Sequence, residues 1–244
     1  MSINVVGIGY NNLIKVGTDK DGKMDINKLN EAMEKCKAAG KIPLAVVGTA
    51  GTTVRGCFDP MREIAAVCKK NDCWFHIDGA WGGSILFSPK YRHHLDGGDL
   101  ADSFSWDLHK MMGAPLMCSA FITKNVALLK TICGHSQTAH YLLHQDREDI
   151  DLGHRSLQCG RRNDALKGWL CWKEKGDEGF ARVVENFIEH ADYLESLVRE
   201  HPRLEMMSSR VFANVNMRYN PTPGKTSADL DLNELNINLR NNLL

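Results

Sequence analysis

The chain has 244 residues, enough for one large domain or for parts of two. Its 43% hydrophobic and 25% charged residues are a globular composition that excludes extensive disorder. Thirty basic against thirty acidic side chains give a formal net charge of zero, so nothing in the balance calls for nucleic acid or an anionic membrane as partner.

Along the first half, strand-like and helix-like segments alternate. Ile3–Ile8 and Leu13–Val16 are short β-branched runs separated by Gly and Asn, and read as strands. Asp25 then precedes an amphipathic helix that ends near Gly40. Pro43–Val47 is an apolar strand running into Gly48-Thr49-Ala50-Gly51-Thr52-Thr53. Asp59-Pro60 opens a second helix, with proline at its first helical position and Ile64, Ala65, Val67 and Cys68 as its apolar face. Trp74–Ile77, Ser103–Trp106 and Leu116–Ile122 are the remaining strands of this series. The pattern is lost between Thr131 and Gly160, where the chain is polar, His-rich and broken by glycine, as in a functional loop. Helices are expected at Arg161–Gly176 and Gly179–His201, strands at Leu204–Met207 and Val211–Met217, and a last amphipathic helix at Asp231–Leu244.

This alternation predicts an α/β layered fold around a mostly parallel sheet, where ligands gather at the strand ends. Three polar segments follow strands directly: Thr49–Thr53, Asp78–Gly83 and Asp107–Lys110. Within them, Lys110 follows an apolar strand and lies 32 residues after Asp78, which has a matching strand-end setting. A lysine amine forms a Schiff base well when burial or nearby charge favours its neutral form. A carboxylate such as Asp78 could stabilise a protonated pyridine ring, and Gly79, Ala80, Gly82 and Gly83 would let a flat ring approach the backbone. Thr53 could donate its hydroxyl to such a group, or the Thr/Gly turn could serve only its own backbone.

The remaining features carry less chemistry. The eight cysteines are scattered without a C-x-x-C pair and read as free buried thiols in a reducing compartment, so a cytoplasmic protein is expected. No apolar run reaches the roughly 18–20 residues that a bilayer span needs, and the start lacks the features of a secretory signal. His140 and His144 have helical spacing but no third ligand suitably placed, so no metal site is expected. Gly48–Gly51 lacks the Gly-Lys-Ser/Thr ending of a P-loop, and Cys159 has no evident base.

Four motifs in order carry a resemblance: Thr-Ala-Gly-Thr-Thr (49–53), His-Ile-Asp-Gly-Ala-Trp-Gly-Gly (76–83), Ala-Asp-Ser-Phe-Ser-Trp-Asp-Leu-His-Lys (101–110) and Leu-Gln-Cys-Gly-Arg-Arg (157–162). Together they resemble the group II pyridoxal-phosphate-dependent amino-acid decarboxylases, over nearly the whole chain. Trp81-Gly82-Gly83, Cys118-Ser119-Ala120 and Gln158-Cys159-Gly160-Arg161 point to the glutamate, cysteine-sulfinate and aspartate branch. The resemblance implies an aspartate-aminotransferase-type large domain over residues 1–177, without its N-terminal part. Residues 178–244 would be a linker helix and the beginning of a small C-terminal α+β domain. Lys110 would be the Schiff-base lysine, Asp78 the partner of the pyridine nitrogen and Ala80 the residue packed on the ring. Thr53 and Asp107 would lie beside the cofactor, and His109 would contact the phosphate or the substrate adduct, making Lys110 and His109 the catalytic pair.

The implied reaction is decarboxylation of an acidic L-amino acid to its amine and carbon dioxide, in a homodimer. Aromatic amino acids or diaminobutyrate are the alternative substrates, and an inactive truncated paralogue is the non-enzymatic alternative. Position 107 is Asp where animal members carry Asn, and a carboxylate there repels a phosphate unless donors offset it. Leu108 replaces a proline and Met117 a glutamine. The segment His144–Arg155 lacks the tyrosine that relatives use as an acid, which makes oxidative deamination a competing outcome; Tyr141 matches a different family tyrosine. Family members are about twice as long, so the isolated chain is expected to show weak or no activity.

Overall fold

Thr49 and Asp78, the last residues of two parallel strands, stand in register with Ser105 in the middle of a third, and this alignment organises the molecule. The computed structural model describes residues 2–125, 127–133, 152–156, 158, 160–222 and 231–243. The expectations about His140, Tyr141, His144 and Cys159 lie outside these residues.

Helix α1 is a single turn at Ser2–Val5, and α2 follows at Ile26–Ala38. Asp25 caps α2 as its sequence position suggests: its carboxylate accepts from the amides of Asn27 and Lys28. Leu29, Met33 and Cys36 form its buried stripe. Strand β1 (Ala45–Thr49) leads through α3 (Met61–Asn71) to β2 (Trp74–Asp78), and a run of 3-10 turns between 82 and 100 leads to β3 (Ser103–Asp107). These strands lie in the order β1-β2-β3 and are parallel, while β4 (Ser119–Thr123) closes the sheet antiparallel to β3. The α/β fold with a mostly parallel sheet is therefore present as expected.

Alternation divides the sheet into two chemical faces. Val46, Phe75, Ile77 and Trp106 are buried in the core, and each such aliphatic or aromatic side chain contributes about 1.5–3 kcal/mol by leaving water. Register places Val47, Thr49, His76, Asp78, Ser103 and Ser105 on the opposite face. The core is completed by Met61 and Ile64 of α3, by Phe180, Val184 and Ile188 of α5 (Asp164–Glu200), and by Phe212. Phe87, Trp106, Trp172 and Phe180 meet with ring centroids 5.2–6.1 Å apart, and the Trp106 indole donates to Ser84 Oγ at 2.9 Å. Helix α4 (Leu128–Cys133) lies between the sheet and α5 in the chain.

Three local expectations change. The runs Ile3–Ile8 and Leu13–Val16 are not strands: Gly7 and Gly9 take positive φ angles of 82° and 86°, and Val5, Val6, Leu13 and Ile14 are exposed. β-branched residues favour a strand only where a partner strand offers hydrogen bonds and packing. Pro60 occupies the cap position of α3 and helical geometry starts at Met61. The two expected helices after Arg161 are both present along α5, which is broken at Gly176 by a non-helical φ of 62°. The strand expected over Val211–Met217 shrinks to β6 (Met217–Tyr219), paired antiparallel with β5 (Leu204–Met206). Helix α6 (Leu232–Leu243) follows, with the Asp231 carboxylate accepting from the amides of Asn233 and Glu234. No described helix is long and apolar enough to cross a membrane. The seven cysteines among the described residues are all free thiols.

Candidate active site at the carboxyl ends of the strands

The turn after β1 is held by its own backbone. The amides of Gly51 and Thr52 both donate to the Cys57 carbonyl, at 3.0 and 2.9 Å, and Gly56 N donates to Thr52 O at 2.8 Å. Thr52 Oγ1 accepts from Cys57 N at 3.1 Å, so Thr52 serves the turn while Thr53 is presented to solvent. Asp59 anchors the root: its two oxygens accept from Met24 N at 2.6 Å and Thr49 N at 2.8 Å. Burial raises the Asp59 pKa, and these two amide bonds oppose the rise.

After β2, Asp78 Oδ1 accepts from Ala80 N at 3.1 Å, a short Asx turn that fixes the carboxylate beside a methyl-only side chain. The glycines around it are required by their own packing. A Cβ on Gly79 or Gly83 would lie 2.3 or 2.8 Å from the Phe104 ring, and one on Gly82 would lie 2.5 Å from the Ala50 carbonyl oxygen. The neighbouring strand and turn thus supply a reason for these small residues besides any ligand. Two residues before Asp78 on the same strand face, His76 Nδ1 lies 2.8 Å from Ser103 Oγ and its Nε2 lies 3.4 Å from Ser105 Oγ. Its ring stacks on Phe121 with centroids 6.1 Å apart. Burial lowers the His76 pKa, partly offset by the Asp78 charge.

After β3, three expected residues come together. Lys110 Nζ lies 3.1 Å from Asp107 Oδ2, and His109 Nε2 lies 3.9 Å from the same oxygen. Ser119 Oγ donates to the other Asp107 oxygen at 2.6 Å. Burial pushes the Asp107 pKa up, but the hydrogen bonds from Ser119 and Lys110 outweigh it and hold the carboxyl below its usual range. The donors that offset a carboxylate at this position therefore come from its own turn and from β4. His109 is oriented from its far side: Nδ1 lies 2.9 Å from the Cys118 carbonyl oxygen and 3.1 Å from the Cys118 amide nitrogen. The Lys110 side chain remains 40% exposed, against 20% for Asp107, so its amine is open to a reaction partner.

Asp78, Ala80 and Thr53 belong to the neighbouring strand ends and share this edge of the sheet with Lys110. The donor set fits a phosphorylated pyridine aldehyde: an open amine, a carboxylate with an oxygen free of the Asx turn, a small flat contact at Ala80 and an imidazole fixed in direction. Sequence reasoning gave no role to the serine pair around His76. It also gave none to Asn214, which accepts a hydrogen bond from the Trp81 indole at 2.8 Å across 133 residues. The i, i+2 spacing of His76 and Asp78 was a usable signal for the first; nothing local marks the second.

Comparison with known proteins bears on the same segment. The family model described as the pyridoxal-dependent decarboxylase conserved domain matches residues 2–220. The L-aspartate decarboxylase dtxS4 of Metarhizium robertsii is 40% identical over 228 residues, covering 93% of this chain and 45% of that protein. The cysteine sulfinic acid decarboxylase of Homo sapiens is 39% identical over 213 residues, covering 86% of this chain and 43% of that protein. The structure of Oryza sativa TDC with PLP and tryptamine superposes with a TM-score of 0.90 at 29% identity, covering 99% of this chain and 50% of the other. The chain thus spans about half the length of the relatives it matches. With the family model matched from residue 2 to residue 220, the chain belongs to the pyridoxal-dependent decarboxylase family.

Proposed function

We propose that this chain forms the lysine-bearing part of a pyridoxal-phosphate-dependent carboxy-lyase that converts an acidic L-amino acid to its amine and carbon dioxide. The observation that carries the reading is the cluster at the end of β3, where Lys110 Nζ, Asp107 and His109 meet on one oxygen. Pyridoxal phosphate, when bound, supplies an electron sink for the pair left behind by the departing carboxylate. Lys110 holds it through its amine, and Asp78 partners the pyridine nitrogen. Ala80 packs on the ring, Thr53 lies beside its substituents, and His109 faces the phosphate or the substrate. Asp107 acts through Lys110, holding the amine at the strand end until it is engaged. The acidic substrate class is supported by the aspartate and cysteine sulfinic acid decarboxylases at about 40% identity.

The division into a cofactor-binding unit up to residue 177 and a second unit from 178 belongs to the same proposal, supported by the break in α5 at Gly176 and the separate β5–β6 pair. So does a cytoplasmic homodimer, supported by the free thiols and by exposed apolar residues such as Leu116, Met117 and Trp169.

Borohydride reduction after incubation with pyridoxal phosphate, followed by peptide mass spectrometry, tests the reading. The adduct is expected on the peptide bearing Lys110 and is expected to vanish in Lys110→Ala but not in Lys124→Ala. Equal labelling of both lysines would sink the assignment. Carbon dioxide release from aspartate, glutamate and cysteine sulfinate, compared with tryptophan, then separates the substrate classes.

A further inference from the structure

Opposed hydrogen-bonding demands meet at one point beside the site. The Trp81 indole Nε1–H, in the turn after β2, can only donate, whereas the backbone carbonyls of Thr53 and Val54, in the turn after β1, can only accept. Asn214 stands between them. Its Oδ1 accepts from Trp81 Nε1 at 2.8 Å, and its Nδ2 donates to Thr53 O at 2.9 Å and Val54 O at 3.2 Å. The partners fix the amide in one orientation, since a flipped group would set N–H against N–H and oxygen against two oxygens. A carboxylate would keep the tryptophan bond and repel both carbonyls; an alkyl group would lose all three bonds. The joint is also sealed sterically. Phe212, fully buried two residues earlier, packs edge-on against Trp81 and Phe58, and a Cβ on Gly56 would meet Asn214 Oδ1 at 2.8 Å.

The two turns have other ties, but on the first turn those reach only its root at Ala50: Ala50 N donates to Asp78 O at 2.8 Å, and Gly82 N donates to Ala50 O at 2.9 Å. Asn214 instead grips the tip of the first turn, where Thr53 is presented.

We propose that Asn214 is a positioning residue for the cofactor site, stapling the Thr53 turn to the Trp81 turn. It thereby fixes Thr53 relative to Asp78 and Ala80 without touching the cofactor itself. The inference rests on the reading of those three residues as cofactor-holding.

Amide hydrogen exchange on the chain without cofactor tests the staple by itself. Asn214→Ala is expected to speed exchange about tenfold in the 52–57 and 80–83 segments, as loss of neutral hydrogen bonds of ordinary strength implies, with Phe75 and Ile77 unchanged. Trp81→Phe keeps an aromatic ring against Phe212, removes only the indole donor, and is expected to loosen the 80–83 segment; it serves as the judge if Asn214→Ala fails to fold. Unchanged exchange in both turns, or an equal rise at Phe75 and Ile77, overturns the proposal, the latter because it marks a role in overall stability alone. Equilibrium dialysis with pyridoxal phosphate is then expected to show about tenfold weaker binding in Asn214→Ala and Asn214→Asp. Loosened turns with undiminished affinity would also overturn it. If wild type and Lys110→Ala bind pyridoxal phosphate alike, the cofactor reading fails, while the exchange data still decide whether the staple exists.

Discussion

Gly82→Ala is expected to cost far more than adding one methyl group at an open glycine such as Gly160. Its Cβ would stand 2.5 Å from the Ala50 carbonyl oxygen, 2.8 Å from the Ala50 carbonyl carbon and 2.9 Å from Gly51 Cα. The shortest of these is about 0.9 Å less than ordinary van der Waals contact. All three atoms are backbone, in a place where Ala50 and Gly82 are both buried, so no flexible side chain can swing away. Relief requires the two turns to part, which breaks the 2.9 Å bond from Gly82 N to Ala50 O. Overpacking of this kind costs about 1–3 kcal/mol, and the lost hydrogen bond adds about 1 kcal/mol. A loss of roughly 3 kcal/mol corresponds to more than a hundredfold in the folding equilibrium. Urea unfolding monitored by tryptophan fluorescence measures it, with Gly160→Ala as control because a Cβ there has nothing within 4 Å. A Gly82→Ala chain within about 0.5 kcal/mol of wild type would refute the steric argument.

Asp59→Ala removes the acceptor of both Met24 N and Thr49 N in a buried position; orphaning two amides is expected to destabilise by about 2–4 kcal/mol in the same urea assay, with a loss below about 0.5 kcal/mol counting against the anchor role. His76 and His94 both have pKa values lowered by burial from the ordinary 6.5. The unfolded chain therefore binds protons first as pH falls, so this contribution to stability is complete above 6.5 and is lost as pH falls below it. Comparing urea midpoints at about pH 7.5 and about pH 5.5 is expected to show a decline that His76→Gln makes shallower; an identical decline in the variant would exclude His76 as a contributor.

The legible parts of this molecule are those whose cause is local. Asp25 announces its helix because a capping carboxylate needs only the next two or three amides, and both Asn27 N and Lys28 N are there. The strands at 45–49, 74–78 and 103–107 show through their apolar alternation, which also delivers Asp78 and Lys110 to one edge. Local evidence fails where a neighbour decides. Ile3–Ile8 has the composition of a strand but no ladder to join, and Val211–Met217 bends away to bring Phe212 and Asn214 onto the turns. Gly79 and Gly83 look like room for a ligand, and their second cause, the Phe104 ring on their Cβ side, lies some twenty residues later. Asp107 looked hostile to a phosphate because its donors, Ser119 and the amine of Lys110, become neighbours only through the turn and the β3–β4 pairing.

The order of events during synthesis follows from the position of Asn214. Strands β1, β2 and β3 are neighbours both in the sheet and in the chain, so their pairing needs only the closure of short connections. The residue that joins the two turns emerges about a hundred residues after Lys110 and closes contacts across 133 and 161 positions. Pairing of the lysine-bearing strand therefore does not wait on the residue that locks the turns above it, whereas its core face does wait on Phe180, Val184 and Phe212.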